Sequence, residues 1–355
     1  MPHQRFPKVE ILSYQNDCIK FVLSKTDISM ANTLRRIMIA EVPTMTIDLV
    51  EYYENTTVLN DEYIAHRLGL FPLKYISPNS NNNNNNNNNS DGPNHDTDNI
   101  VAQKGGDCSE AFVSHRDCIC FEHCSRCSVE FICDVQYLVP GSGGGGGHGT
   151  EEEENDDVLA PLTITSKDLV SNNLHVQPAH FVSVEEQEDT QDDGIAIVKL
   201  GPGQKLKFKA IAHMGISKEH AKWCPVAVAT YRFWPIVHIN AEEMASLSME
   251  QKQFLVDTCP DQIIEIDAVT GEIVPVERYW DIATYTEDLD FAQKSLKKRK
   301  EDDDFITITP STDTFIFTVE STGAMDAYEI VKSALKVLKR KLNDLARELE
   351  ADHKY

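Results

Sequence analysis

From Cys18 to Leu23 apolar and polar positions alternate, with Ile19, Phe21 and Leu23 set against Cys18, Lys20 and Val22. That period of two predicts a strand. Val9 to Leu12 precedes it across Gln15-Asn16-Asp17, which predicts a hairpin. Asp27 then stands where a helix cap belongs, ahead of Ile28, Ala31, Leu34 and Ile37 at spacings of three, and Pro43 ends the pattern. Further on, Gly194 to Leu200 and Gln204 to Ala212 bracket Gly201-Pro202-Gly203. In the second arm Leu206, Phe208, Ala210 and Ala212 alternate with Lys205, Lys207, Lys209 and Ile211, the pattern of a hairpin strand buried on one face.

The C-terminal end carries the clearest pattern. Thr314 to Glu320 alternates through Phe315, Phe317 and Val319 and predicts a strand. Gly323 follows, and Asp326 with Glu329 three residues later has the form of a capping box. Val331, Leu335, Leu338, Leu342, Leu345 and Leu349 then recur at spacings 4-3-4-3-4, an a/d seam sustained over more than two heptads. Such a stripe either covers the chain's own sheet or is shared with a partner. The partner reading is favoured, because few elements lie beyond the helix to cover it.

The chain has 355 residues, room for roughly two domains at ~150 residues each. Its 33 Lys plus Arg against 57 Asp plus Glu give a net charge of −24, which excludes autonomous binding to DNA, RNA or an anionic membrane. Half of that charge is local. Glu151 to Glu154 with Asp156 and Asp157 form one run, and Glu185, Glu186, Glu188, Asp189, Asp192 and Asp193 form another. Low-complexity sequence fills 77–107, around the homopolymer Asn81 to Asn89, and 141–157, around a glycine run and the first acidic block. Neither offers apolar surface to offset its ordering entropy, so both are expected as disordered insertions in a fold that resumes after them.

The N-terminus lacks the apolar core of a signal peptide, and no segment approaches ~18 consecutive apolar residues, so a soluble intracellular protein is expected. Nine cysteines, an odd number in a reducing compartment, argue against a disulfide framework. Four of them, Cys118, Cys120, Cys124 and Cys127, fall within ten positions as C-x-C-x3-C-x2-C. Tetrahedral Zn²⁺ takes four thiolates at ~2.3 Å, and with every position filled such an ion is structural. Zinc is favoured over an iron–sulfur cluster, which four thiolates also hold. His115 and His123 are possible substitute ligands, with Cys108 and Cys133 nearby.

Other chemistry is thinner. A zinc deaminase needs H-x-E followed by P-C-x-x-C; no histidine here has glutamate two residues on, and Cys124 follows His123 instead of proline. Phosphate-loop, nucleophile-elbow and H-E-x-x-H motifs are absent. Glu219-His220-Ala221-Lys222-Trp223 brings acid, base and cation together in sequence, but its ordinary reading is a packed strand-entry segment. Lys297-Lys300 reads equally as an import signal or as a solvated loop neutralised by the acids after it.

The segments FVLSKTDISMANTLRRIMIAEVPTMTIDLV and NTTVLNDEYIAHRLGLFPL, the cysteine quartet, GQKLKFKAIAHMGISKEHAKW and FIFTVESTGAM follow one another in the order of a known family. The chain resembles the α-like subunits of cellular RNA polymerases over nearly its whole length outside the two insertions. Within that family the quartet and the HAKW spelling resemble the polymerase II branch; PVAVATYRF leans towards the branch shared by polymerases I and III, which stays as the alternative.

The resemblance implies an α+β fold with a discontinuous α-like dimerisation domain, 5–50 with 225–355. An inserted β-rich domain, 51–224, would carry the zinc loop 118–127. It also implies one structural zinc ion, a heterodimer with a small α-like subunit, and further contact with the second-largest polymerase subunit and small zinc-binding subunits. DNA would be met only through the complex, in the nucleus, and no catalytic residue is expected. The candidate partner surfaces are the helix from Asp27 to Ala40, with Leu34, Arg35 and Arg36, and the seam Val331, Leu335, Leu338, Leu342, Leu345 and Leu349. The ordinary reading of the two arginines is exposure on a solvated face.

Overall fold

The computed structural model describes residues 6–76, 106–138, 161–179, 194–258, 264–267, 270–276, 287–296 and 304–352. In chain order the elements are β1 (Lys8–Tyr14), β2 (Cys18–Ser24), α1 (Ile28–Ala40), β3 (Thr44–Asn55), α2 (Asp61–Gly69), β4 (Leu73–Tyr75), β5 (Ser128–Gln136), β6 (Leu162–Thr165), β7 (Val170–Ser171), β8 (Val176–Pro178), β9 (Ala196–Leu200) and β10 (Lys205–Gly215). They continue with β11 (Val226–Ile239), α3 (Ala241–Ala245), α4 (Met249–Thr258), β12 (Ile264–Ile266), β13 (Ile273–Pro275), α5 (Glu287–Leu296), β14 (Ile306–Ser321) and α6 (Ala327–Asp352). The fold is α+β. The acidic run at 185–193, the basic run at 297–300 and most of both expected insertions lie outside the described residues. The last two residues of the first insertion are described: the Gly106 N–H donates to the Tyr75 carbonyl at 2.7 Å, and Asp107 caps a short 3-10 turn at Cys108–Glu110.

Contacts gather the chain into two compact units, one of Met1–Leu12, Phe21–Ala31 and Tyr231–Phe317, the other of Ser13–Lys20, Asn32–Thr230 and Thr318–Tyr355. A four-stranded sheet has the order β1-β2-β14-β11. In the first unit its strands bury aromatic rings: Phe21 stacks on Phe317 at 4.9 Å, and Tyr231 meets Phe315 edge-on at 5.6 Å. A second small core follows it in sequence, where Met244, Leu255, Ile264, Ile273, Leu289, Ala292, Phe305 and Ile306 pack together. Asn240 caps α3 by accepting the Glu242 and Glu243 N–H groups.

The second unit is organised by a six-stranded sheet, β7-β5-β10-β3-β4-β8. β10 runs antiparallel to both β3 and β5, and the alternation read from its sequence holds: Leu206, Phe208, Ala210 and Ala212 are buried. The lysines between them face solvent and meet acids on both neighbouring strands, Lys205 with Glu54 at 2.9 Å, Lys207 with Asp134 at 2.6 Å and Lys209 with Glu51 at 3.1 Å. Beneath lie Met45, Ile47, Phe131 and Phe208, with Ile64 and Leu68 of α2 in the same core.

One expectation is corrected here. β9 and β10 do not pair as a hairpin; β9 pairs with β6, because both edges of β10 are already occupied by β3 and β5. Gly201-Pro202-Gly203 serves instead as a turn between two sheets, with Gly203 at φ +80° and the Gln204 side chain accepting the Gly201 N–H at 2.7 Å. β14 also runs longer than its alternating core, from Ile306 to Ser321. The other expected elements stand close to where the patterns put them. Asp27 Oδ1 accepts the Met30 N–H at 3.0 Å at the start of α1, and the Gln15 N–H closes the β1–β2 turn on the Cys18 carbonyl at 2.8 Å.

Candidate functional site

The loop before β5 brings the four predicted cysteines together. A short 3-10 turn at His115–Asp117 delivers Cys118, whose N–H donates to the Ser114 carbonyl at 3.1 Å. At the other end a tight turn precedes β5: the Cys127 and Ser128 N–H groups donate to the Cys124 carbonyl at 3.0 and 2.9 Å, and the Ser128 hydroxyl donates to it at 2.9 Å. The ligand sulfurs all lie within 4.8 Å of one another. Cys118 and Cys124 are 3.7 Å apart, Cys120 and Cys127 3.6 Å, and Cys124 and Cys127 3.8 Å. These are far from disulfide lengths. Thiolates at ~2.3 Å from a common ion in a tetrahedron stand roughly 3.8 Å apart, so the four residues fit a single metal ion.

The electrostatics favour deprotonation where the turn is tightest. The Arg126 N–H aimed at the Cys124 sulfur brings that thiol down to about 7, against the burial that opposes it. Neighbouring thiols, Cys118 first, push Cys120 up to about 12, and a bound cation reverses that pressure. Cys108 and Cys133 are core residues, both pushed upward by burial, and stand outside the quartet.

Both candidate substitute histidines have other partners. His115 stacks on buried His213 at 4.4 Å, and His123 Nε2 lies 3.2 Å from Glu130 Oε1 on β5. The Glu219–Trp223 segment proves to be a staple. Glu219 pairs with Arg116 at 3.0 Å, at the entrance to the cysteine loop. His220 Nδ1 accepts the Lys222 N–H at 3.1 Å, and Lys222 Nζ reaches Asp48 at 2.5 Å. Sequence spacing carried no signal for the His123–Glu130, Arg116–Glu219 or Lys222–Asp48 contacts, because each joins segments that meet only in the folded sheet.

The candidate partner residues divide by exposure. On α6, Leu335, Leu342, Leu345 and Leu349 are 49%, 55%, 58% and 56% exposed, and Val331 and Leu338 are half-buried. A neighbouring stripe in the first half of the helix, Ala327, Ile330, Ala334 and Val337, is buried in the chain's own core. Polar contacts hold the helix in place: Ser333 donates to Asp107 at 2.8 Å, Lys336 to Glu110 at 2.7 Å and Lys341 to Glu41 at 2.9 Å. On α1, Leu34 is buried, Arg35 is half-buried and donates to Asn32 Oδ1 through Nε and an Nη at 3.2 and 2.9 Å, and Arg36 is exposed. No helix among the described residues is long and apolar enough to cross a membrane.

Comparison with known proteins gives these features a common setting. The family description "RNA polymerase Rpb3/Rpb11 dimerisation domain" matches residues 20–342. A curated subunit 3 of DNA-directed RNA polymerases II, IV and V from Arabidopsis thaliana is 37% identical over 96% of this chain and 91% of its own length. DNA-directed RNA polymerase II subunit rpb3 of Dictyostelium discoideum is 38% identical over 97% of this chain and 95% of its own length. The rpac1 subunit of RNA polymerases I and III from Dictyostelium discoideum is 27% identical, over 95% of this chain and 80% of its own length.

Proposed function

The chain belongs to the Rpb3/Rpb11 dimerisation family of RNA polymerase subunits, and on that premise we propose that it is the α-like assembly subunit of DNA-directed RNA polymerase II. Its likeness to polymerase II relatives exceeds its likeness to the shared subunit of polymerases I and III, which supports the polymerase II branch. In this role it pairs with a small α-like subunit, and the heterodimer carries the second-largest subunit and small zinc-binding subunits. It contributes no catalytic residue, works in the nucleus, and meets DNA through the complex alone.

The observation that carries the proposal is the leucine row on α6. Four large apolar side chains stand in water along one line of the helix, while a neighbouring stripe in its first half, ending at Val337, is packed and fastened to the chain's own body. A monomer has little reason to maintain such a stripe, and a dimerisation family has a direct one. Arg35 and Arg36 on α1 and Val331 to Leu349 on α6 form the proposed contact set, and Leu34, buried in the chain's own core, supports the helix from behind. Residues 5–50 with 225–355 form the proposed dimerisation domain, and 51–224 the inserted β-rich domain. This division is supported by a four-stranded sheet drawn from both ends of the chain and a six-stranded sheet drawn from between them, with β3 straddling the boundary. The four cysteines hold one structural zinc ion, which closes the loop without an open coordination position.

The test is co-expression with the small α-like subunit of the same organism, with the wild-type chain and with Leu338→Asp combined with Leu342→Asp. The wild type co-purifies stoichiometrically and the variant does not. Stoichiometric recovery of the variant overturns the seam assignment. Lysate fractionation checks the wider role: the endogenous chain runs in a particle far heavier than 39.9 kDa, and migration at the monomer's size rejects polymerase membership.

A further inference from the structure

We propose that the four thiols hold their metal unequally: Cys124 and Cys127 are the preformed half of the site, and Cys118 and Cys120 are the arm through which the ion enters and leaves. The inference rests on the metal reading above and assigns His123 and Glu130 a positioning role within it.

The preformed half is built from backbone. Cys127 is buried at the mouth of β5, and its sulfur accepts the Cys124 N–H at 3.4 Å. Three donors converge on the Cys124 carbonyl, from the Cys127 and Ser128 N–H groups and the Ser128 hydroxyl. The residue before Cys124 is fixed separately, by the contact of His123 Nε2 with Glu130 Oε1. Glu130 is itself immobilised. It lies opposite Ile211 in the β5–β10 ladder, its N–H donates to Asn172 Oδ1 at 3.0 Å, and its carbonyl accepts the Asn172 N–H at 2.9 Å. Lys209 Nζ stands 3.9 Å from the same carboxylate. The histidine that sequence offered as a ligand therefore acts as a clamp, tying the turn of Cys124 to a central sheet.

The other arm is anchored at its entrance, where His115 stacks on His213 and Arg116 pairs with Glu219, but less so at the two cysteines themselves. Cys118 has its one backbone tie to Ser114, and the hydrogen bonds reaching Cys120 come from other thiols. Ile119 and Phe121, on either side of Cys120, are fully exposed and pack against nothing in the chain. A ligand pair already in its bound geometry gives up little conformational freedom when the ion arrives, whereas a loose pair must be ordered by it. The loose pair is then the first to let go when a chelator competes.

Cobalt(II) substitution and zinc-release kinetics on the full chain test this. Glu130→Gln keeps one ion per chain and the four-thiolate cobalt charge-transfer spectrum, while zinc release to a chromophoric chelator speeds up on the order of tenfold. His123→Gln does the same, and the double variant is no faster than either single one, as expected of two ends of one clamp. Cys120→Ser retains an ion with a three-thiolate spectrum, and Cys124→Ser retains none. Equal loss in the two cysteine variants, or wild-type release in Glu130→Gln, overturns the inference. A wild-type chain that takes up neither cobalt nor zinc overturns the metal reading itself.

Discussion

The indole of Trp223 lies against the bare Cα of Gly215, so close that a β-carbon there would fall 2.5 Å from the ring. The contact is held from several sides. Trp223 Nε1 donates to the His213 carbonyl at 3.2 Å, its own carbonyl accepts the Thr44 hydroxyl at 2.9 Å, and Lys222 Nζ sits 4.5 Å from the ring centre. The segment leaving β10 is thereby folded back over the start of β3.

Gly215→Ala is expected to destabilise the chain by about 1–3 kcal/mol, because neither backbone nor a hydrogen-bonded indole moves aside freely. Thermal unfolding checks this. A melting curve that superimposes on the wild type refutes the close packing of Trp223.

The two faces of α6 make opposite predictions. Ile330→Ala removes a fully buried side chain and costs about 2–5 kcal/mol in the isolated chain. Leu345→Ala, on the exposed seam, stays within about 0.5 kcal/mol of wild type, yet it weakens binding to the small α-like subunit. Denaturant unfolding and pull-down of the same two variants give the comparison. A large stability loss in Leu345→Ala would mean that the seam is packed internally.

Elemental analysis of freshly reduced protein should find close to one zinc per chain. Cys120→Ser combined with Cys127→Ser abolishes it, and Cys108→Ser or Cys133→Ser leaves it in place, since those two thiols are in the core and outside the quartet. Chelation should raise amide exchange through 118–127 and the first residues of β5, and unchanged exchange would dissociate the ion from the fold of the loop.

Acid sensitivity should trace in part to Asp48. The His213 imidazole, 3.5 Å away, and the Lys222 ammonium beside it hold its carboxyl well below the usual carboxylate range. A depressed folded value means that the stabilisation is present in full above about pH 5 and is lost progressively as the pH falls through and below the ordinary carboxylate range. Asp48→Asn should lower stability at neutral pH and flatten the acid limb of the melting-temperature profile between about pH 5 and pH 3. Parallel acid limbs in variant and wild type would reject the assignment.

How much of this was legible in sequence depended on the strength of the local pattern. β2, β10 and α1 stand near their expected bounds because alternation or three-residue spacing was clean and a turn or cap marked the end. The cysteine quartet was legible because its members are neighbours. The packed face of α6 was not. It is made of Ala327, Ser333 and Ala334 with Ile330 and Val337, small residues with a faint hydrophobic signal, while the conspicuous leucines lie on the face the chain leaves open. The β9–β10 hairpin failed for a different reason: alternation shows that a strand exists, but not which edges its neighbours already occupy. α3 to α5 and the short hairpin between them are built from segments too brief to carry a period.

The lysines of β10 settle a question that burial leaves open. A slip of one residue would turn the core face outward and is forbidden, but a slip of two preserves the alternation and costs the apolar pattern little. It would nevertheless move Lys207 from Asp134 to face Gln136 or Ile132, and displace Lys205 and Lys209 from Glu54 and Glu51. Each exposed pair contributes little on its own. Acting in unison on both flanks of one strand, they discriminate between alignments that hydrophobicity alone would treat as equivalent.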